Sequence, residues 1–343
     1  MKLEEIGFYT LTDQRARTAT HTSPLSRCEL LLTDRCNLKC PYCRGLKPEY
    51  RGDMPFEQAK ATLDLWIREG LRNVRLSGGE PTLYPRLEEL VKQCREGGVE
   101  RIAISSNGVN RHEVYDRLIE AGVNDFAISL DSGCCATGEV MAGGVKGSWN
   151  KAVDTIQYLS GKVYLTVGIV FTETNADKAI ETVMFADSLG PSDIRTIPSA
   201  QFNRALVSLA DLPAEILAKY PILRYRVSRV KVGKHIRGLK EMTDWPEDLC
   251  DLKEEDCGSC PLVLDDIAVA GDDHYPCIVY LREQGKPIGK VGPNMRAERL
   301  AWAKRTDTFE DPICSANCLD FCSEYNNRWF ELHPLGVECV LNP

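Results

Sequence analysis

The stretch that decides the fold is CELLLTDRCNLKCPYC, residues 28–43. Its mostly apolar run Glu29–Thr33 predicts a buried strand, and the three cysteines at 36, 40 and 43 follow on a loop. Three thiolates so close together can bind three irons of a [4Fe-4S] cluster and leave the fourth iron open for a small molecule. The alternative is a zinc knuckle, but zinc needs a fourth ligand, and this loop contains no histidine or further cysteine.

Short apolar runs alternate with amphipathic stretches from residue 28 to about residue 200. This alternation predicts a parallel sheet with right-handed crossovers. Six units are too few for a closed eight-stranded barrel, so the predicted fold is α/β, a partial (β/α)6 barrel. The predicted strands are 29–33, 74–77, 102–105, 126–129, 163–171 and 194–197, and the predicted helices are 56–69, 86–96, 113–121, 148–159 and 176–189.

Polar motifs follow several of the predicted strands directly. They are Thr33-Asp34, Ser77-Gly78-Gly79-Glu80, Ser105-Ser106-Asn107-Gly108 and Ser129-Leu130-Asp131. In parallel α/β sheets, ligands bind at the carboxyl ends of the strands. The motifs therefore predict one ligand site at that edge, next to the three cysteines.

The composition narrows the class of protein. The chain has 343 residues and a net charge of −8, so a basic surface for nucleic acid is not expected. Its first residues are acidic, and no apolar run is long enough for a signal peptide or a membrane span, which favours a cytoplasmic protein. Fifteen cysteines in a reducing compartment indicate metal ligands rather than disulfides. The scattered Cys28, Cys94, Cys134 and Cys135 are predicted to be structural thiols.

The regular alternation stops after about residue 200. The basic segment 221–240 is predicted to be a pair of strands whose charges face solvent. From residue 250 the chain is rich in cysteine, aspartate and glycine, as in a small domain held together by metal. The predicted organisation is an N-terminal extension (1–27), a core (28–220) and a C-terminal domain (221–343).

Two motifs together resemble the radical S-adenosylmethionine (SAM) superfamily: Cys-x3-Cys-x2-Cys after the first strand, and Gly-Gly-Glu-Pro after the second. The resemblance covers residues 28 to about 200 and implies a [4Fe-4S] cluster on Cys36, Cys40 and Cys43 that binds SAM. Glycines admit close backbone approach, and a carboxylate can meet the SAM ammonium group. The SAM contacts that the resemblance implies are Tyr42, Gly78, Gly79, Glu80, Ser106, Asn107, Ser129, Asp131 and Ile197.

The C-terminal cysteines resemble the SPASM or shorter twitch extension of radical SAM enzymes, which carries auxiliary [4Fe-4S] clusters. A hairpin around residues 271–273 is expected to bring Cys260 and Cys277 together. The resemblance implies that Cys257, Cys260, Cys277 and Cys322 bind one auxiliary cluster and that Cys314, Cys318 and Cys339 bind a second. One ligand of the second cluster is missing from the family's spacing, so Cys250 could replace it, an iron could stay open, or a single cluster could form. Zinc sites are the alternative.

The resemblance implies reductive cleavage of SAM to a 5′-deoxyadenosyl radical, with electrons from a reductant such as flavodoxin or ferredoxin. Auxiliary clusters favour oxidation or cross-linking of a peptide or protein. The same chemistry on a nucleotide or sugar is the first alternative, and a non-catalytic electron-transfer or zinc protein is the second. Only about 27 residues precede the core, too few for a leader-binding domain. Arg195, Gln201 and Arg204 are the candidate substrate contacts, and no nucleic acid or membrane is expected as a partner.

Overall fold

The computed structural model describes residues 19–20, 22–43, 52–198, 208–231, 258–308, 310–317, 326 and 329–332. Its strands are β1 (Arg27–Thr33), β2 (Asn73–Gly78), β3 (Arg101–Ser106), β4 (Asp125–Ser129), β5 (Tyr164–Phe171), β6 (Asp193–Pro198), β7 (Asp266–Ala270), β8 (Asp273–Tyr275) and β9 (Gly289–Lys290).

The helices are α1 (Phe56–Arg68), α2 (Leu87–Glu96), α3 (His112–Ala121), α4 (Cys135–Met141), α5 (Ser148–Leu159), α6 (Ala179–Ser188), α7 (Ala214–Lys219), α8 (Pro221–Lys231), α9 (Ile278–Arg282), α10 (Met295–Arg305) and α11 (Pro312–Asn317). Short 3-10 turns lie at Pro81–Leu83, Ala176–Lys178 and Pro261–Leu264.

The strands form one sheet in the order β6-β5-β4-β3-β2-β1-β7-β8-β9. Strands β1 to β6 are parallel, and each lies beside the strand that precedes it in the chain. Right-handed crossovers of this order place every connecting helix on the same face of the sheet. The predicted α/β partial barrel of six units is therefore confirmed. The predicted elements agree to within one to three residues at their ends, and α4 is the helix of this region that the periodicity missed.

The two faces of the sheet differ in polarity. The residues that point toward the helices are apolar and form the main core, for example Leu30, Leu76 and Ile104, together with helix residues such as Val91 and Leu118. The alternate residues of the same strands are polar and also buried. On this inner face lie Arg27, Glu29, Arg75, Ser77, Asp125 and Asp193. Strand alternation thus separates a packing face from a face that carries charged groups.

The C-terminal segment continues the sheet at the β1 edge. Strand β7 pairs parallel with β1, and β7 and β8 form the expected antiparallel hairpin. Gly271 occupies its turn with a φ of +63°, a conformation that favours glycine. The predicted hairpin is therefore present, and its first strand lies directly against β1 of the core.

The prediction of paired strands within 221–240 is wrong for its described part, which is helix α8. Ile222, Leu223 and Val227 are buried, and Leu223 and Val227, four residues apart as on one face of a helix, pack into the main core. Arg226 is buried as well, so its charge does not face solvent. The interspersed basic residues imitated strand alternation, whereas the apolar residues follow the helical repeat.

Among the described residues, the longest helices are too short and too polar to cross a bilayer.

Replacement of Asp266 by alanine is expected to lower the free energy of unfolding by about 3 kcal/mol, because it leaves the Arg27 guanidinium buried without its main partner. The two side chains are 2.8 Å apart, and each is less than 5% exposed. Glu100→Ala is the control, because its pair with Arg72 has the same length but is largely exposed. That change is expected to cost less than about 1 kcal/mol. Urea unfolding under anaerobic conditions measures both values, and equal losses would contradict the prediction.

Candidate functional site

The three cysteines of the first motif lie on the loop that follows β1. Cys36 is exposed, Cys40 and Cys43 are half-buried, and the Cys43 amide donates a hydrogen bond of 3.0 Å to the Cys40 carbonyl. Burial raises the pKa of Cys40 to about 12 and also raises the pKa of Cys36. The charges of neighbouring thiols contribute to both shifts, so the three side chains lie within electrostatic reach of one another.

This loop rests on the two glycines at the end of β2. The Gly79 amide donates to the Thr33 carbonyl, and the Glu80 amide donates to the Arg35 carbonyl, both at 2.7 Å. A Cβ atom on Gly78 would lie 2.3 Å from the Thr33 oxygen, and one on Gly79 would lie 2.3 Å from the Arg35 oxygen. Backbone therefore packs on backbone here, and side chains are excluded.

A third glycine, Gly143, also packs against the loop. The Lys39 amide donates to the Ala142 carbonyl at 3.3 Å, and a Cβ on Gly143 would lie 2.2 Å from the Lys39 oxygen. At the start of the loop, Arg35 forms two hydrogen bonds of 2.8 and 2.9 Å with the Asp53 carboxylate. The path of the loop is thus fixed before and within the cysteine motif.

Glu80 of the Gly-Gly-Glu motif is buried and fully hydrogen-bonded. Its Oε1 accepts from the Thr82 amide and hydroxyl, and its Oε2 accepts from the Asn107 amide at 2.7 Å. Burial raises the pKa of this carboxyl. In this structure the carboxylate joins the ends of β2 and β3, which positions the backbone of both glycines.

Ser106 and Asn107 follow β3 and have different surroundings. The Ser106 hydroxyl is buried, where it lies 3.2 Å from the Tyr115 hydroxyl and accepts from the Gly108 amide. Asn107 reaches the cysteine loop, because its Nδ2 donates to Asn37 Oδ1 at 2.6 Å and lies 3.8 Å from Cys36 Sγ. Of the two, Asn107 is the residue that touches the loop.

Tyr42 and Asp131 contact each other through the tyrosine hydroxyl, which donates to Asp131 Oδ2. Asp131 Oδ1 accepts from the Val170 amide at 2.8 Å, and Val170 is the register partner of Ile197. Burial raises the pKa of Asp131 to about 6. Tyr42 and Asp131, two of the predicted SAM contacts, are therefore joined next to Cys40, and Ile197 lies beside Val170 on the neighbouring strand.

Ser129 and Arg195 share one row of the sheet. Ser129 pairs with Gly168 of β5, and Gly168 pairs with Arg195 of β6. Ser129 is exposed and Arg195 is half-buried. Arg195 is thus close to the predicted SAM contacts, while the other two candidate substrate contacts, Gln201 and Arg204, lie outside the described residues.

The strand-end motifs did not indicate the charged groups of the inner face. Arg75 Nη1 donates to Ser105 Oγ at 2.7 Å, and its Nη2 lies 3.8 Å from Asp125. Ser77, directly before the two glycines, donates to Glu29 at 2.8 Å. The signal that could have found these groups is the period of two in the strands, which places charged residues opposite the apolar ones.

The two scattered pairs of cysteines differ in burial. Cys28 and Cys94 are fully buried in the main core, as predicted for structural thiols. Cys134, in contrast, is exposed at the N-terminal cap of α4. Hydrogen bonds with Thr137 and Ser132 lower the pKa of Cys134 to about 7.

The described C-terminal cysteines lie around α9 and the hairpin. Cys277 caps α9 and its Sγ accepts from the Tyr280 amide at 3.4 Å, while Cys260 precedes the turn that leads into β7. Tyr280 is within electrostatic reach of both Cys277 and Cys314. The other predicted ligands lie outside the described residues, namely Cys257, Cys318, Cys322 and Cys339, as does the possible substitute Cys250.

The first cysteine loop supplies the donor set of a cluster, three thiols with no histidine or fourth cysteine among residues 36–43. A [4Fe-4S] cluster takes each thiolate on a different iron, which suits three neighbouring but separate soft ligands. Cys36, Cys40 and Cys43 would hold it, and iron would have to displace the proton that burial retains on Cys40.

The comparison with known protein families agrees with this geometry. Residues 30–186 match the model of the Radical SAM superfamily. The family implies a [4Fe-4S] cluster that binds SAM.

Curated relatives share part of this sequence. Molybdenum cofactor biosynthesis protein 1 of Bos taurus is 28% identical over 67% of this chain and 38% of its own length. The GTP 3′,8-cyclase of Synechococcus sp. (strain CC9902) is 36% identical over 39% of this chain and 40% of its own length. The chain thus spans about two fifths of the length of these relatives.

Solved structures share the fold over most of the chain. Native anSMEcpe with bound AdoMet and Cp18Cys peptide has a TM-score of 0.58 at 17% identity and covers 93% of this chain and 99% of its own. Streptococcus suis SuiB has a TM-score of 0.57 at 16% identity and covers 86% of this chain and 67% of its own. The family and these relatives identify the chain as an enzyme.

Replacement of Gly79 by alanine is expected to prevent assembly of the cluster on the first cysteine loop, because the new Cβ would displace the Arg35 carbonyl directly before Cys36. Anaerobic reconstitution should yield about four fewer irons per chain than the wild type, the content of one [4Fe-4S] cluster. The control is Gly292→Ala, where no heavy atom lies within 4 Å of the new Cβ. A Gly79→Ala protein with the full iron content would contradict this account of the glycines.

Proposed function

We propose that this protein is a radical SAM enzyme that cleaves SAM reductively and abstracts a hydrogen atom from a peptide or protein, which is then oxidised or cross-linked. The observation that carries the proposal is the packing of the loop with Cys36, Cys40 and Cys43 on Gly78 and Gly79 at the carboxyl edge of the sheet. When bound, the cluster supplies the electron that converts SAM to methionine and a 5′-deoxyadenosyl radical.

The residues of this chain would bind and orient SAM. The backbone of the two glycines, with the Asn107 amide held by Glu80, offers polar groups beside the cysteine loop. Ser129 is exposed at the end of β4, and Ile197 is half-buried at the end of β6 beyond it. The polar Ser129 would suit the ribose of SAM, and the apolar Ile197 would suit the adenine. Tyr42 and Asp131 would keep the loop at a fixed distance from these strands.

The proposal for the C-terminal segment is an auxiliary-cluster domain of the SPASM or twitch type. Its ligands would be Cys257, Cys260, Cys277 and Cys322, with Cys314, Cys318 and Cys339 available for a second cluster. An auxiliary cluster can accept an electron from the substrate radical, which favours net oxidation over isomerisation. An external flavodoxin or ferredoxin would supply electrons to the first cluster.

The resemblance of the C-terminal cysteines to the SPASM extension favours a peptide or protein substrate. The buried ion pairs of the inner face, Arg27 with Asp266 and Arg101 with Asp125, lie at the first residues of their strands. They are therefore at the amino edge of the sheet, away from the cysteine loop. The second candidate is a nucleotide substrate, which the names of the GTP 3′,8-cyclase relatives favour.

If the protein is a radical SAM enzyme, its cleavage of SAM should depend on the first cysteine loop. The reconstituted wild type, mixed with SAM and dithionite, should release 5′-deoxyadenosine. Cys40→Ala should reduce this release at least a hundredfold, because the cluster loses a ligand, while Cys94→Ala, in the core, should retain it. The released 5′-deoxyadenosine is measured by liquid chromatography with mass detection. If Cys40→Ala releases as much as the wild type, the proposal is refuted.

Deuterium transfer separates the two substrate classes. The enzyme is incubated with SAM, dithionite and either a perdeuterated tryptic digest or GTP deuterated on the ribose. If the substrate is a peptide, 5′-deoxyadenosine should contain deuterium after incubation with the digest and none after incubation with GTP. Transfer from GTP alone would replace the peptide proposal with the nucleotide candidate.

The auxiliary clusters are tested by counting iron after removal of the first site. The variant with Cys36, Cys40 and Cys43 all changed to alanine should retain at least about four irons per chain, the content of one [4Fe-4S] cluster. Zinc should be absent by elemental analysis. A value near zero iron, or stoichiometric zinc, would refute the auxiliary clusters without affecting the first site.

A further inference from the structure

Arg282, at the end of α9, connects the C-terminal cysteine segment to the glycine motif of the core. Its Nη2 donates to the Gly78 carbonyl at 3.3 Å. In the part of the chain that the structure describes, this carbonyl is the hydrogen-bond acceptor that the Arg282 guanidinium uses. The contact joins residues 204 positions apart in the sequence.

The position of Gly78 makes this contact consequential. Gly78 is the last residue of β2 and has a φ of +148°, in the region that favours glycine. The next two residues hold the cysteine loop through the amides of Gly79 and Glu80. A guanidinium on the Gly78 carbonyl therefore orients the peptide group that contains the Gly79 amide, the donor of the first of these hydrogen bonds.

Helix α9 is firmly braced at the end that faces the core. Leu281 is buried in a small cluster with Leu31 of β1, Ala268 and Tyr275. The Tyr280 hydroxyl donates to Asp311 at 3.0 Å, and its ring packs edge-on against Trp302 at 5.7 Å. Arg282 consequently extends from a fixed helix, so its hydrogen bond transmits the position of that helix.

The other end of α9 is Cys277, one of the proposed auxiliary ligands. The backbone directly before it is held by the buried Arg299, which donates to the carbonyls of Tyr275 and Pro276 at 2.9 and 3.0 Å. Arg282, which contacts Gly78, is the last residue of α9, and Cys277 directly precedes the first residue of this five-residue helix. Metal binding at Cys277 and the orientation of Gly78 thus share one short, rigid element.

A cavity of about 200 Å³ lies beside this contact. Its lining includes Asp34 before the first cysteine, Gly78, Gly79, Gly271 of the hairpin turn and Arg282 itself. The cavity gives solutes access to the guanidinium, so a small cation could enter the space that a truncated Arg282 would leave.

We infer that Arg282 is a positioning residue that couples the C-terminal cysteine segment to the SAM-binding loop: it holds the Gly78 carbonyl, and the affinity for SAM depends on this hydrogen bond. The inference rests on the proposed function, because it assigns SAM to the site at Gly78 and Gly79. It identifies Arg282 as a residue that acts through Gly78 rather than by contact with the reacting atoms.

Equilibrium dialysis with labelled SAM, on anaerobically reconstituted full-length protein, tests this inference. Arg282→Ala should raise the Kd for SAM about tenfold, the size expected for the loss of a hydrogen bond to a charged donor. Its iron content should equal that of the wild type. Arg282→Lys should lie between the two, and Arg305→Ala, at the exposed end of α10, should bind SAM as the wild type does.

Two further readouts separate positioning from general stability. Guanidinium chloride, far below the concentration that unfolds the protein, should restore SAM binding to Arg282→Ala and leave Arg305→Ala unchanged. In a double-mutant cycle, Cys277→Ala should weaken SAM binding in the wild type and have little further effect in Arg282→Ala.

The outcomes distinguish this inference from the proposed function. If the wild type binds no SAM, the proposed function fails. If the wild type binds SAM and Arg282→Ala binds it equally well, the inference alone is overturned. Loss of iron together with SAM affinity in Arg282→Ala, without rescue by guanidinium, would also overturn it, because Arg282 would then support the fold rather than Gly78.

Discussion

The close backbone contact between Gly78-Gly79 and the Thr33–Arg35 segment is the constraint on which the rest of the site depends. Both glycine Cβ positions are already occupied by carbonyl oxygens of the facing segment, at 2.3 Å. Because no side chain fits, the end of β2 can hold the loop after β1 through two amide hydrogen bonds. The cysteines then emerge at the carboxyl edge of the sheet, where Asn107 and Asp131 approach them from β3 and β4.

The polarity of the inner face is the second consequence of the sheet. All connecting helices cover one face, so apolar residues are needed only there, and the opposite face can carry charge. Burial of charges is tolerated because they are paired, as with Arg27 and Asp266 or Arg101 and Asp125. Such pairs add little net stability.

The C-terminal segment is an extension of this sheet rather than a distant appendage. Strand β7 lies against β1, the strand that leads into the cysteine loop, and α9 packs on the same strand through Leu281. A change at the C-terminal cysteines can therefore reach the first site through a few packed residues.

The sequence by itself determined the α/β alternation, the six parallel strands and the loop with Cys36, Cys40 and Cys43, because these follow from local periodicity and from closely spaced residues. It misread 221–231 as strands, since interspersed basic residues imitate strand alternation until the partner surface shows which residues are buried. Only the tertiary structure decided that Glu80 bonds to the β3 end, that Tyr42 meets Asp131 and that Arg282 reaches Gly78. The physical reason is distance along the chain: the partners in these contacts are 27, 89 and 204 residues apart, and only the crossovers of the folded sheet bring them together.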